Sequence, residues 1–520
     1  MTELLPTKAT FAPGEDVQVE VRGSAKAVSL THLGEPVATA VAVGGIASFG
    51  ALPEGGYGVE ADGAHSALDV LANPLGRPRY GFVSHYEPGR EPAGVAENAR
   101  RLHLNAVQFY DWMYRHADLL PPGDTFSDTL GQTVSLDSVR RLAEALRAVG
   151  SLPLGYAAVY AAGKDEWPSW QDEGLYRPDG TPWTLGDFLW NVDPSDERWL
   201  AHFSADLRKA LGVGFAGFHL DQYGAPKLAL RRDGRAVDLA EAFPVLIERL
   251  RRDLPDARLI FNNVNDFPTE ATARTGQDAI YIEVWSPSDR LGQLGALVTK
   301  ARLLAPGKAV ILAAYLAPYA ESDEAGRAAE RLQLATVFSH GGTALVHGEE
   351  QSVLTEAYYV THAQQSDESL EATRRSYDFA VRHGDLLFDP AAVDVTAGRV
   401  GGIHEEIAVE APVPVSVEST PGALWLRAMQ TSRGLLLHLI DLSPQEDDLW
   451  NAPKRPGRPL EGVRVRLRRQ LARPASVSFA DPDDAPVLRR LRPVEEGPVD
   501  VYEVPPFRTW ALLWVREGAS

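Results

Sequence analysis

The chain has no cysteine among its 520 residues. That excludes a disulfide framework, a thiolate zinc site, an iron–sulfur cluster and a cysteine nucleophile, and it leaves the redox compartment open. Basic charge is also short, with 51 Lys and Arg against 71 Asp and Glu, for a formal net charge of −20. Such a surface repels polyphosphates and anionic lipid, so neither nucleic acid nor a membrane surface is an expected partner. A neutral partner fits better. No run of about 18 uninterrupted apolar residues occurs, so no bilayer span is expected. The opening, Met1-Thr-Glu-Leu-Leu-Pro-Thr-Lys8, lacks a basic region followed by an apolar stretch. No signal peptide is read there, and with Met1 in place a cytoplasmic location is favoured over a secreted one.

A chain of this length exceeds a single hydrophobic core, so two or three domains are expected. Up to residue 76, short β-rich runs (Val17 to Val21, Val37 to Val43, Tyr57 to Glu60) alternate with turn residues and predict a small β-sandwich. Asn73-Pro-Leu-Gly-Arg-Pro78 reads as a linker. From Arg79 onward the pattern becomes strand, loop, helix, repeated eight times. The expected strands are Tyr80 to Tyr86, Asn105 to Trp112, Leu152 to Tyr160, Gly217 to Tyr223, Arg258 to Asn265, Ala279 to Trp285, Ala309 to Leu316 and Thr343 to His347. Most are near-continuous apolar runs, as parallel strands covered on both faces must be. Amphipathic helices are expected between them. In one, Val139, Leu142, Leu146 and Val149 keep helical spacing between a Ser135 N-cap and a Gly150 stop. Eight such units predict a (β/α)8 TIM barrel. A doubly wound open sheet is the alternative, but no GxGxxG or Walker loop supports it.

After about Phe388 the pattern returns to β, with Ala423 to Gln430 and Gly434 to Leu442 flanking Thr-Ser-Arg like a hairpin, followed by Val463 to Leu467, Ala475 to Phe479 and Thr509 to Val515. The expected domains are therefore 1–76, 77–390 and an all-β 391–520. A structural buttress is favoured over an accessory sugar binder for the last.

The outer ends of barrel strands are where catalytic groups sit. Here they carry Ser84, His85 and Tyr86, then Tyr110, Asp111 and Trp112, then Tyr160. Further round come Asp221, Gln222 and Tyr223, the Asn262, Asn263 and Asn265 group, Glu283 with Trp285, Tyr315, and His347 with Glu349 and Glu350. Aromatic faces stack on the C–H surfaces of sugar rings while acids and amides take hydroxyls, so the rim predicts a saccharide cleft. Two carboxylates on strand ends suffice for cleaving a glycosidic bond. Asp221, in Gly217-Phe-His-Leu-Asp-Gln-Tyr-Gly224, suits a nucleophile; its rival role is capping the next turn. Glu283 lies beside Tyr281 and Trp285, whose apolar bulk favours a protonated general acid, with a salt bridge to a barrel arginine as the rival. Asp111 either binds sugar hydroxyls or pairs with a loop arginine such as Arg115. The residues expected to bind substrate are Asp111, Tyr110, His85, Tyr160, Asn263, Trp285 and Tyr315.

His85 is a weak signal, and His219 is expected to alternate away from the side Asp221 faces. Neither has metal-pair spacing, and His347 with Glu349 lacks a helical HExxH arrangement, so no metal and no cofactor is expected. The third βα loop, about Ala161 to Asp193, carries Trp167, Trp170, Tyr176, Trp183 and Trp190. One or two of these are expected to stack on sugar and the rest to pack the loop.

Six segments carry a resemblance to a known family: Tyr80-Gly-Phe-Val-Ser-His-Tyr86, Gln108-Phe-Tyr-Asp-Trp-Met-Tyr114, Gly155-Tyr-Ala-Ala-Val-Tyr160, His219-Leu-Asp-Gln-Tyr-Gly224, Phe261-Asn-Asn-Val-Asn265 and Tyr281-Ile-Glu-Val-Trp285. In that order, on successive strands, the chain resembles glycoside hydrolase family 66, the bacterial dextranases and cycloisomaltooligosaccharide glucanotransferases. The resemblance implies an Ig-like domain, a catalytic barrel and a C-terminal β domain, acting with retention on α-1,6-glucan or isomaltooligosaccharides. It places the nucleophile at Asp221, the acid/base at Glu283 and a further required aspartate at Asp111. It also implies that cyclising members carry a large carbohydrate-binding insertion around the seventh barrel unit. Leu316 to Thr343 leaves room for only one helix there, so a dextranase of endo type is expected, with a cycloisomaltooligosaccharide glucanotransferase as the alternative. A non-catalytic glucan-binding protein is a further alternative.

Overall fold

The computed structural model describes residues 2–404, 406–472 and 474–517. Met1, on which the expected location leans, and the last three residues of the expected third domain lie outside them. Eight parallel strands form the centre: β1 (Tyr80–Val83), β2 (Ala106–Phe109), β3 (Leu152–Ala158), β4 (Gly217–Asp221), β5 (Arg258–Val264), β6 (Ala279–Glu283), β7 (Val310–Ala313) and β8 (Thr343–Gly348). Each pairs with the next, and β8 pairs with both β7 and β1. The ring is closed, which removes the open-sheet alternative. Most strands stop short of their expected ends, because the chain leaves the ladder where rim residues turn over the barrel mouth. Asp111, for example, sits at φ 45 two residues after β2.

Around the ring lie α1 (Ala93–Arg101), α2 (Leu136–Ala148), α3 (Glu197–Ala210), α4 (Leu239–Asp253), α5 (Leu291–Leu304), α6 (Asp323–Ser339) and α7 (Asp367–Arg382). In α2 the Ser135 side chain accepts from the N–H of Ser138, while Val139, Leu142 and Leu146 are buried. Gly150 ends the helix at φ +75, and a Cβ there would lie 2.3 Å from the carbonyl oxygen of Thr10. The connection from β5 to β6 departs from the expected pattern, holding only the turn Thr269–Thr272. Its residues Asn265 to Asp278 include too few large apolar side chains to bury a longer helix.

The barrel interior is packed with Tyr80, Phe82, Leu154, Ile260, Tyr281, Ile311 and Leu345. Leu75 belongs to the same cluster and is fully buried. The stretch read as a linker is thus a 3-10 turn, Pro74–Gly76, capped by Asn73 and anchored by Leu75. Before it, the N-terminal residues form a three-stranded and a four-stranded antiparallel sheet around Val19, Val28, Leu30, Val59 and Leu68. After the barrel, Leu424–Thr431 and Gly434–Asp441 pair as an antiparallel hairpin within a larger sheet, and Ile407–Glu410, Arg464–Arg468 and Val499–Glu503 form a smaller one. The molecule is a central barrel flanked by β-rich regions. Among the described residues no helix is long and apolar enough to cross a membrane.

Candidate active site

Asp221 is the last residue of β4 and Glu283 the last of β6, with β5 between them in the ring. Side chains on a strand alternate, so β5 presents Ile260 and Asn262 to the interior and Phe261 and Asn263 to the surrounding helices. The Asn262 amide fills the gap between the two acids, donating to Asp221 Oδ1 at 2.7 Å and to Glu283 Oε2 at 2.9 Å. Those oxygens are therefore at most 5.6 Å apart, the sum of the two contacts. The two N–H bonds of an amide diverge by about 120°, which sets the acceptors about 5 Å apart. Each acid has a phenol on its other oxygen, Tyr156 on Asp221 Oδ2 at 2.7 Å and Tyr315 on Glu283 Oε1 at 2.8 Å.

Burial and the neighbouring Glu283 push Asp221 up to about 7, against the pull of Tyr156, Asn262 and the Gln222 backbone. Burial also raises Glu283, while Asn262, Tyr315 and Trp285 hold it back. Among the described residues, no cation is one of the groups that hold either acid. Burial thus raises both carboxyls, and the charge of Glu283 raises Asp221 further, so the two acids oppose simultaneous ionisation. Burial drives the Tyr156 and Tyr315 hydroxyls well above the usual phenol range, so both remain donors. The rival roles drawn from sequence, a turn cap for Asp221 and an arginine pair for Glu283, are not what these contacts describe.

The acids open into a cleft of about 600 Å³. Tyr110, Asp111, Tyr160, Trp285 and Tyr315 line it. Trp285 stands 41% exposed at the mouth. Asp111 is buried, and its Oδ1 has no hydrogen-bond partner. Burial, then the charges of Asp128 and Asp221, raise its carboxyl well above the usual range. Arg115 instead donates to the carbonyls of Tyr114 and Ser127.

Three expectations need correction. Asn263 does not face the cleft; its amide donates to the carbonyls of Phe261 and Tyr281 and accepts from Thr272, because it lies one residue out of phase with Asn262. His85 is drawn away to the seam between β1 and β8, where its Nδ1 lies 3.4 Å from Glu349 Oε1. His219 shares the face of Asp221, since residues two apart on a strand point the same way. It lines the cleft floor and bonds the Tyr80 hydroxyl at 3.1 Å.

The aromatic third loop mostly packs on itself. Trp170 is buried against Trp199, Trp167 lies beside Tyr176 and Trp190, and the Arg177 guanidinium covers Trp183. None of the five singled-out rings lines the cleft; Leu185, Phe188 and Leu189 of that loop do. Tyr156, Tyr358, Tyr359 and His116 also line it, and sequence reasoning passed them over. Tyr156 was within reach, because strand alternation puts it on the face of Tyr160. Tyr359, stacked on Tyr110 with centroids 4.4 Å apart, arrives from beyond β8 and gives no local signal. Among the described residues no group of three or more His, Cys, Asp or Glu side chains is placed to hold a metal ion.

A closed barrel bearing two half-buried, hydrogen-bonded carboxylates at the ends of alternate strands, under a rim of tyrosines, belongs to the class of barrel glycoside hydrolases. Within that class the chain belongs to glycosyl hydrolase family 66, whose sequence profile matches residues 6–511. A cycloisomaltooligosaccharide glucanotransferase of Niallia circulans is 26% identical over 280 residues, 48% of this chain and 29% of that protein. The matched region is thus under a third of that relative's length. The crystal structure of a cycloisomaltooligosaccharide glucanotransferase from Paenibacillus sp., complexed with cycloisomaltoheptaose, superposes with a TM-score of 0.88 at 19% identity, covering 98% of this chain and 99% of that one. A maltogenic alpha-amylase from Thermotoga neapolitana gives a TM-score of 0.54 at 11% identity, over 85% of this chain and 100% of its own. These two likenesses are likenesses of fold.

Proposed function

We propose that the chain is a retaining enzyme of α-1,6-linked glucan that transfers the cleaved chain to a sugar hydroxyl, as a cycloisomaltooligosaccharide glucanotransferase does. The observation that carries the reaction type is the shared amide of Asn262. Retaining glycosidases keep their carboxyl groups about 5–5.5 Å apart and inverting ones roughly 6.5–9.5 Å. Two oxygens held within 5.6 Å by one NH2 group support the first. Asp221 attacks the anomeric carbon while Glu283 protonates the departing O6, and a covalent glycosyl-enzyme forms. Glu283, now ionised, takes the proton of the incoming hydroxyl, and release follows with the configuration retained. Asp111, with its unpartnered oxygen, is suited to a sugar hydroxyl, and Trp285 to stacking on a ring at the mouth.

Transfer is put ahead of the hydrolysis expected from sequence because both kinds of comparison, by sequence and by fold, bring up cycloisomaltooligosaccharide glucanotransferases. One observation keeps the dextranase reading second: between β7 and β8 lie only the turn Pro318–Glu321 and α6, with no inserted module. Incubation with dextran followed by chromatography separates the readings. Cyclic isomaltooligosaccharides are expected; linear products alone would move the assignment to dextranase, and no product at all would leave a glucan-binding protein.

A further inference from the structure

We propose that Asn262 is the positioning residue for both half-reactions, its one NH2 group holding the negative charge first on Asp221 and then on Glu283. The proposal rests on the retaining reading above.

The two phenols bonded to the acids each serve one, Tyr156 serving Asp221 and Tyr315 serving Glu283. Asn262 touches both. Its orientation is fixed by chemistry: turned over, the amide would aim a carbonyl oxygen at the ionised carboxylate of Asp221 at hydrogen-bond distance, where only a donor is tolerated. Its Oδ1 is buried without a partner, so no contact on that side dictates the orientation. The residue is 3% exposed and sits within β5, a rigid element.

In glycosylation a lone pair of Asp221 forms the bond to C1, the C1–O6 bond breaks, and the Glu283 proton goes to O6. Asp221 is then a neutral ester and Glu283 a carboxylate. In the second step the acceptor oxygen bonds C1, its proton goes to Glu283, and the ester bond breaks to return the charge to Asp221. The charge thus shuttles between two oxygens at most 5.6 Å apart, with an Asn262 N–H already on each. A hydrogen bond to an ionised acceptor is roughly twice as strong as one to a neutral acceptor, so the stronger of the two bonds follows the charge without any side-chain rotation.

The test uses 5-fluoro-α-isomaltosyl fluoride, which loads a retaining enzyme without an acid catalyst for departure and accumulates the glycosyl-enzyme. Its formation and its decay in added isomaltose are followed by intact-protein mass spectrometry. Asn262→Ala, and the isosteric Asn262→Asp, are each expected to slow both formation and decay, on the order of 100-fold for a lost preorganised donor. Asn262 stabilises the anionic forms, so in Asn262→Ala both limbs of the kcat/KM profile on isomaltooligosaccharides are expected at higher pH by about one unit. Slowing of only one step, or limbs that stay in place while overall activity falls, would overturn the proposal and leave Asn262 a packing residue. Failure of the wild-type protein to accumulate any glycosyl-enzyme would instead overturn the retaining reading, whatever the variants do.

Discussion

At the scale of single residues, the acid pair is held by donors and not by cations, and this has a cost in stability. Asp221 is pushed up to about 7 from an ordinary value of 3.8. A carboxyl raised on folding binds its proton more tightly in the folded state. Its contribution is therefore fully present below pH 4 and is lost as pH rises through about 7, where the buried charge must be carried. Replacing Asp221 by Asn removes that charge. The variant is expected to be inactive yet more stable than wild type at pH 8, on the order of 2 kcal/mol, with the gain vanishing by pH 4. Thermal melts across that range check it; a gain independent of pH would mean that packing, not charge, is responsible. The two acids were legible in the sequence because each ends an apolar strand. The donors between them were less so. Asn262 and Asn263 are chemically identical neighbours, and only the phase of β5 tells which one faces the cleft. The same period of two puts His219 on the face of Asp221, against the expectation from sequence.

At the scale of elements, the eight strands were readable because parallel strands covered on both faces are apolar throughout. Strands with one exposed face, such as Ala485–Leu491 with its two arginines, gave no such run and were missed. Barrel closure was also invisible, since it depends on contacts between the first and last units. At that seam the register between β8 and β1 shifts between Leu345 and Gly348. Glu349, at φ 47 just beyond β8, turns its buried carboxylate back onto β1 and accepts from the backbone N–H of Ser84 at 2.6 Å and of His85 at 3.0 Å. Arg90 pairs with its other oxygen. Burial alone would raise this carboxyl, but His85, Arg90 and the Ser84 N–H outweigh it and hold it below its usual value. Glu349→Ala strips two buried N–H groups and a guanidinium of their acceptor, and is expected to cost about 3 kcal/mol in denaturant unfolding. Glu349→Gln keeps an acceptor for the backbone and should lose less. Equal losses in the two variants would place the effect in packing.

At the scale of the whole molecule, composition divides the chain into β, α/β and β stretches, and it suggests modules joined by a linker. The contacts describe something tighter. Arg79, at the foot of β1, is buried and pairs with Asp69 of the N-terminal region, both oxygens of that aspartate accepting. Arg77 and His32 share Asp385, and Arg382 of α7 reaches Glu60. These partners lie up to 353 positions apart, so no reading of local pattern could find them. Asp69→Ala would leave the Arg79 guanidinium buried without its counter-charge, a loss of about 3–5 kcal/mol when one half of a buried pair is removed. Tryptophan fluorescence can see where that loss is felt, because no tryptophan precedes Trp112 and the N-terminal sheets are silent to it. If the N-terminal region were an independent module, Asp69→Ala would leave the tryptophan transition in place. Because Arg79 belongs to the barrel and Leu75 plugs its floor, the tryptophan midpoint is expected to fall by the full amount, in a single transition coincident with that of the far-ultraviolet circular dichroism.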